Sequence, residues 1–227
     1  MQPYFFPYIG YFQLINAVDI FVIFDDVNFI KKGWINRNNI LVNGTFNLFS
    51  VPLKEASQNK LINQIQLADD NKWRLTFLKT IELNYKKAPF FNDIFLLIQK
   101  IINSPSITIN DLIYTSILYI NNYLNCKTEI IFSSSLTNIN HLKGQDKIIA
   151  ICKKQMATLY INPIGGKELY NIETFKQNGI RLNFLKSKQI NYKQYNNDFV
   201  PWLSIIDVLM FNSKHDTLML INEYTLL

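Results

Sequence analysis

Apolar positions recur along this chain with two periods, and the alternation between them sets the expected elements. Residues 20–24 (IFVIF) form an unbroken apolar run between Asp19 and the pair Asp25-Asp26, the pattern of a short strand covered on both faces. Residues 10–18, just before it, read as a short helix with Phe12 and Ile15 turned inward. Residues 39–53 alternate around Asn43-Gly44 (Ile40 and Val42, then Phe46 and Leu48), which predicts a hairpin closed by a two-residue turn. From 69 to 85 the period lengthens: Trp73, Phe77, Ile81 and Tyr85 share one helical face. Two further one-faced helices are expected over 93–102 and 109–124, then a strand over 129–132. A helix over 144–155, a strand over 158–162, a helix over 167–178, a strand over 180–185 and a helix over 202–212 complete the series. This alternation predicts a single α/β domain over 1–227, its sheet largely parallel and flanked by helices, with a helical insertion or subdomain at about 69–125.

Composition narrows the picture. Of 227 residues, 48% are aliphatic or aromatic and 18% are charged, enough apolar surface for a core and too little charge for long disordered stretches. The net charge of +6 favours anionic partners in general. The lysines stand in scattered pairs without a basic block, so DNA binding is not expected. The two cysteines and two histidines are too few and too dispersed for a disulfide framework or the usual zinc site, and no metal is expected. No apolar run reaches the roughly 18 residues that cross a bilayer, and the proline-interrupted start lacks a basic leader. A cytoplasmic protein without membrane insertion is the expectation.

Five segments carry candidate chemistry. The opening Gln2-Pro3-Tyr4-Phe5-Phe6-Pro7-Tyr8 offers stiffened backbone and tyrosine faces for stacking. Asp25-Asp26 stands at the carboxyl end of a buried strand, where ligands of parallel sheets sit, and a carboxylate there can act as a base. Lys31, Lys32, Trp34, Asn36, Arg37 and Asn38 gather cations, amides and an indole into eight residues, a composition suited to phosphate and a stacked base. Two glycine turns, one with His141 and Lys143 before Gly144, the other with Asn162, Gly165, Gly166 and Lys167, have the sequence logic of anion sites, although neither is a Walker motif. Each of these segments also has a plain structural reading as packed loop, solvated turn or helix cap.

Together the segments resemble the WbqC-like family of bacterial proteins. The resemblance rests on MQPYFFPYIGYFQLI (1–15), the strand with Asp25-Asp26, KKGWINRN (31–38), KAPFF (87–91), KGQDKIIAICK (143–153), YINPIGGKELY (160–170) and FVPWLSIIDVLMFN (199–212). It implies a role in O-antigen or other surface-polysaccharide gene clusters, beside genes for nucleotide-linked amino sugars. It also implies a short hydrophobic strand ahead of the Met-Gln-Pro motif, where this sequence starts at its methionine. The reading that follows is an N-acyl or N-aminoacyl transferase acting on a dTDP-type amino sugar. Asp25, Asp26 and His141 are its candidate bases. Gln2, Tyr4, Tyr8, the 31–38 segment, Lys143, Asn162, Gly165, Gly166 and Lys167 are its candidate substrate contacts. The expected donor is a thioester, a carrier protein or a charged tRNA, with no certain cofactor. A weaker similarity links the opening to HUP-type nucleotidyltransferases, whose loop histidines are replaced here by Tyr8-Ile9-Gly10-Tyr11. That leaves an ATP- and magnesium-dependent ligase, or a non-catalytic nucleotide-sugar binding subunit, as alternatives.

Overall fold

In the computed structural model, which describes residues 1–68, 71–195 and 198–227, the chain is a mixed α/β protein. A short helix, α1 (Ile9–Asn16), leads into β1 (Ile20–Ile23). The hairpin follows as β2 (Arg37–Val42) and β3 (Thr45–Ser50), with Val42 opposite Thr45. Asn43 and Gly44 both take positive φ (50° and 77°), the geometry that fits a tight turn to the twist of its strands. A two-residue pair, β4 (Leu53–Lys54) and β5 (Gln66–Leu67), precedes three helices: α2 (Lys72–Tyr85), α3 (Phe91–Ile102) and α4 (Ile109–Leu124). Phe77, Ile81 and Tyr85 of α2 are buried and Trp73 is half-buried. The expected start of that helix at Asp69 lies outside the described residues. Thr108 caps α4 by accepting from Asp111 N, and α4 ends on Asn125 at φ 58°.

The second half supplies β6 (Glu129–Phe132), α5 (Gly144–Lys154), β7 (Leu159–Pro163), α6 (Ile172–Gln177), β8 (Arg181–Ser187), α7 (Ile205–Phe211), α8 (Lys214–Ile221) and β9 (Tyr224–Leu226). Helix α6 is shorter than its apolar pattern suggests. Residues 164–169 wind as a 3-10 turn, and the helix starts only where Asn171 accepts from Thr174 N. Likewise α7 begins after Ser204, whose hydroxyl accepts from Ile206 N, rather than at 202.

The sheet departs from expectation. Strand β1 pairs with β6 in parallel, and β7 pairs with β8 in parallel, but the two pairs belong to separate sheets. No large parallel sheet forms among the described residues. Between β1 and β7 runs a cleft of about 320 Å³, lined also by Leu14 of α1, by Ala17 just after that helix, and by Ile148 and Ile151 of α5. Met1 lies at one end of it. Its amino group donates to the Val22 carbonyl (2.8 Å) and its carbonyl accepts from Phe24 N (2.7 Å), a parallel pairing opposite Ile23. The main core gathers α1, the α2–α4 group and α7. A smaller one under α5 and α6 holds Cys152, Phe175, Ile180 and Phe184.

Candidate functional site

The carboxyl ends of both parallel pairs carry the polar and aromatic side chains of interest. At the end of β1, Asp25 is 2% exposed. It accepts from Ser134 N (3.0 Å), Ser134 Oγ (2.7 Å) and Ser133 Oγ (3.2 Å), all just beyond β6. Asn63 (3.2 Å) and Asn110 (3.4 Å) add side-chain amides. One buried carboxylate thus ties together two strand ends, the 62–64 turn and α4, which satisfies a charge that burial would otherwise penalise. Asp26 accepts from Ser133 Oγ (2.5 Å) and from Lys147 Nζ (2.6 Å). The ion pair is almost fully covered, and the ammonium also lies 5.0 Å from the centre of the Phe24 ring. Lys147 and the serines 133–135 were not singled out as site residues from sequence. A cation one turn into a helix that follows a glycine was the available signal for Lys147.

His141 is exposed in the turn between β6 and α5, on the carboxyl-end side, and makes no hydrogen bond to another described residue. Lys143 is exposed at the start of α5. Lys31 and Lys32 are exposed on a turn that Arg37 closes, donating from Nε to the Gly33 carbonyl (2.8 Å) and from Nη2 to the Lys32 carbonyl. The Arg37 guanidinium also faces Trp34 at 5.9 Å. Asn36 donates to the Val51 carbonyl (2.8 Å) and Asn38, buried, to the Phe6 carbonyl (2.8 Å). Asn162 accepts from Tyr160 (3.0 Å) and donates to the Pro163 carbonyl (3.2 Å). Gly166 packs so closely on it that a Cβ would sit 2.0 Å from its Nδ2. Gly165 and Lys167 are exposed, and the Gln2 carbonyl accepts from the Tyr11 hydroxyl (3.1 Å).

At the ends of β7 and β8 opens a cavity of about 620 Å³, within the usual range for small-ligand sites. The N-terminal loop gives it Met1, Tyr4 and Tyr8, α1 gives Tyr11, and the β2 region gives Trp34, Asn38 and Asn39. Pro163 and Ile164 line it after β7, Lys186 and Ser187 at the end of β8, and Trp202 before α7. Of the residues marked from sequence, Tyr4, Tyr8, Trp34 and Asn38 meet here. Asn39, Lys186, Ser187 and Trp202 join them, and nothing in the local sequence pattern tells that these residues converge here. The loop is pinned: Phe6, at φ 42°, gives its carbonyl to both Asn38 and Ser204 Oγ (2.8 Å each). Burial raises the Tyr4 phenol, raises Tyr8 against the opposing effect of its bond to Ser187, and holds Tyr11 well above the ordinary range. These phenols are neutral donors at physiological pH. Burial also pushes the Cys152 thiol up to about 11 and raises Cys126, so neither is a ready thiolate. Among the described residues no group of three or more His, Cys, Asp or Glu side chains is placed to hold a metal, and no helix is long and apolar enough to cross a membrane.

Comparison with known proteins adds two findings. The WbqC-like protein family matches residues 2–218. An uncharacterised protein of Mycobacterium tuberculosis is 27% identical over 215 residues, which cover 93% of this chain and 91% of that protein. No solved structure matches.

Proposed function

The chain belongs to the WbqC-like protein family, and from that premise we propose that it transfers an acyl or aminoacyl group to the amine of a nucleotide-linked sugar in surface-polysaccharide synthesis. Membership of a family often linked to polysaccharide biosynthesis clusters supports the setting. The observation that carries the reading is the 620 Å³ aromatic cavity at the carboxyl ends of β7 and β8, reached by the N-terminal loop and bordered by Lys186. Aromatic faces accept a flat ring, and a lysine at the border accepts a phosphate.

In the reaction the amine nitrogen attacks the donor's carbonyl carbon and a C–N bond forms. The bond from that carbon to sulfur or oxygen breaks, and the leaving group departs with its electron pair. The amine proton passes to a base. Asp25 and Asp26 are already engaged as acceptors: Asp25 by Ser134 N and Oγ, Asn63 and Asn110, Asp26 by Lys147, and the two share the one Ser133 hydroxyl. His141, without such partners, is therefore the preferred base of the three. Lys31 and Lys32 add positive charge beside Trp34, and Arg37 shapes their turn.

The test is incubation of the purified protein with a dTDP-amino sugar and, separately, an acyl thioester, an acyl-carrier protein and a charged tRNA. Mass spectrometry should show the sugar nucleotide gaining the acyl mass with one donor class. Tight sugar-nucleotide binding with no product from any donor would replace this reading with that of a binding subunit. Product formed only with ATP and magnesium would replace it with the ligase.

A further inference from the structure

We infer that Trp202 and Asn39 form a nucleobase subsite in the aromatic cavity, with Trp202 as a stacking platform presented on a strained, doubly anchored backbone. The inference rests on the reading of this cavity as the sugar-nucleotide site and names which part of the ligand it takes. Trp202 is 70% exposed and sits at φ 63°, a left-handed conformation that bulky residues adopt only when their surroundings force it. The surroundings do so from both sides. Upstream, Gln194 grips Val200 twice, accepting from its N–H (2.7 Å) and donating to its carbonyl (3.1 Å). Gln194 is itself held by Asp207 (2.6 Å), and Pro201 stiffens the next step. Downstream, Ser204 N donates to the Asn39 carbonyl (2.8 Å) and Ser204 Oγ to the Phe6 carbonyl. Between these anchors the indole projects against Tyr8, with ring centres 5.4 Å apart and planes tilted by 54°. Strain that exposes an indole is not offset by burial, so folding alone gives it no reason to persist.

The chemistry favours a base over a sugar ring. A pyranose brings several hydroxyls, each needing a partner once buried, and the cavity offers few polar groups. A nucleobase brings two flat faces and one polar edge. The faces match Trp202, Tyr8 and Trp34, and one carboxamide, with a donor and an acceptor side by side, matches the edge. Asn38 spends its carboxamide on Phe6 O and Asn39 N. Asn39, half-buried in the cavity wall, makes no side-chain hydrogen bond to another described residue. The phosphates then extend toward Lys186.

The discriminating variant is Trp202→Gly. Glycine adopts φ 63° without penalty, so its melting temperature should equal or exceed the parent's, while affinity for dTDP or UDP by calorimetry should fall about 5- to 100-fold, the range of lost base stacking. Pyrophosphate and glucosamine 1-phosphate, which lack a base, should bind far more weakly than the nucleotides to the parent and should not distinguish the variant from it. Asn39→Leu should narrow the difference in affinity between nucleosides of different base. Nucleotide binding unchanged in Trp202→Gly, or glucosamine 1-phosphate binding as tightly as dTDP, overturns the subsite. If nucleotides bind through Trp202 and no acyl group is transferred, the subsite stands and the proposed reaction falls. If transfer proceeds with kcat/KM unaltered by Trp202→Gly, the reaction stands and the subsite falls.

Discussion

Asp207 is fully buried and accepts from Tyr85 (2.9 Å), Tyr192 (2.7 Å) and Gln194 (2.6 Å). Burial holds its carboxyl above the ordinary range, and the three donors offset that only in part. A raised folded-state pKa means that this group's contribution to stability is fully present below its unfolded-state pKa and is lost as pH rises through the folded one. The difference in unfolding free energy between the parent and Asp207→Asn should therefore favour the parent most at acid pH and shrink across that window. A difference that grows with pH in denaturant titrations would refute the assignment. Asp26 and Lys147 behave differently, because each is the other's charge partner in a covered site. Lys147→Met should cost about 3–5 kcal/mol, the usual penalty for stranding one member of a buried pair, read as a lower denaturation midpoint. A loss below about 1 kcal/mol would mean that Asp26 finds another cation or water.

Elements whose period and end signals agree were legible in the sequence. The hairpin around Asn43-Gly44, the strand 129–132 and the helix 109–124 fall where the pattern puts them, because local turn chemistry and a one-faced apolar stripe point the same way there. The helix expected over 167–178 starts only at Ile172, because the 3-10 turn that begins at Ile164 runs on to Leu169 and the capping residue is Asn171, a signal that apolar spacing does not carry. Helix α8 and strand β9 are not legible in the pattern, since their apolar residues follow neither period cleanly. The site was legible only where it is contiguous. The N-terminal loop and the 31–38 segment announced aromatic and basic chemistry, but their convergence with Asn39, Lys186 and Trp202 is a product of tertiary packing. Gly10 links the two levels. It opens the second residue of α1, where alanine would ordinarily favour the helix by about 1 kcal/mol. Yet a Cβ there would stand 2.3 Å from Tyr8 Cε1, so the Tyr8 ring must move and leave Trp202. Gly10→Ala should therefore shift the melting temperature little and weaken nucleotide binding several-fold. Unimpaired binding by calorimetry would show that Tyr8 is not part of the ligand surface.

Across the whole molecule, two parallel pairs face each other over one gap. Among the described residues, strand β1 shows the gap an edge paired only by Met1, and β7 shows it an edge with no strand partner. Leu14 of α1 and Ile148 and Ile151 of α5 line the gap together with both strands, and a strand is the element whose backbone could pair with both edges of the gap. Its edges present peptide groups that an apolar ligand could not satisfy and that a strand could. A strand there would give the order β6, β1, strand, β7, β8, and the reversal of order at the gap is where α/β sheets form their ligand crevice, beside which the aromatic cavity lies. Met1 already fixes the register, and its amine is buried deeply enough that its pKa is pushed down to about 5. Adding about five alternating valines and threonines ahead of Met1, a usual strand length, would replace that amine with a peptide N–H and continue the pairing along β1 toward Ile20. Burying two or three of the added side chains, less the cost of ordering them, should contribute at least about 2 kcal/mol. For a chain of this size that raises the melting temperature by about 4–8 °C. A glycine-serine extension of equal length replaces the amine too but has no side chains to bury, and it should give no comparable rise. Equal melting temperatures for the two extensions would show that the gap does not accept a strand.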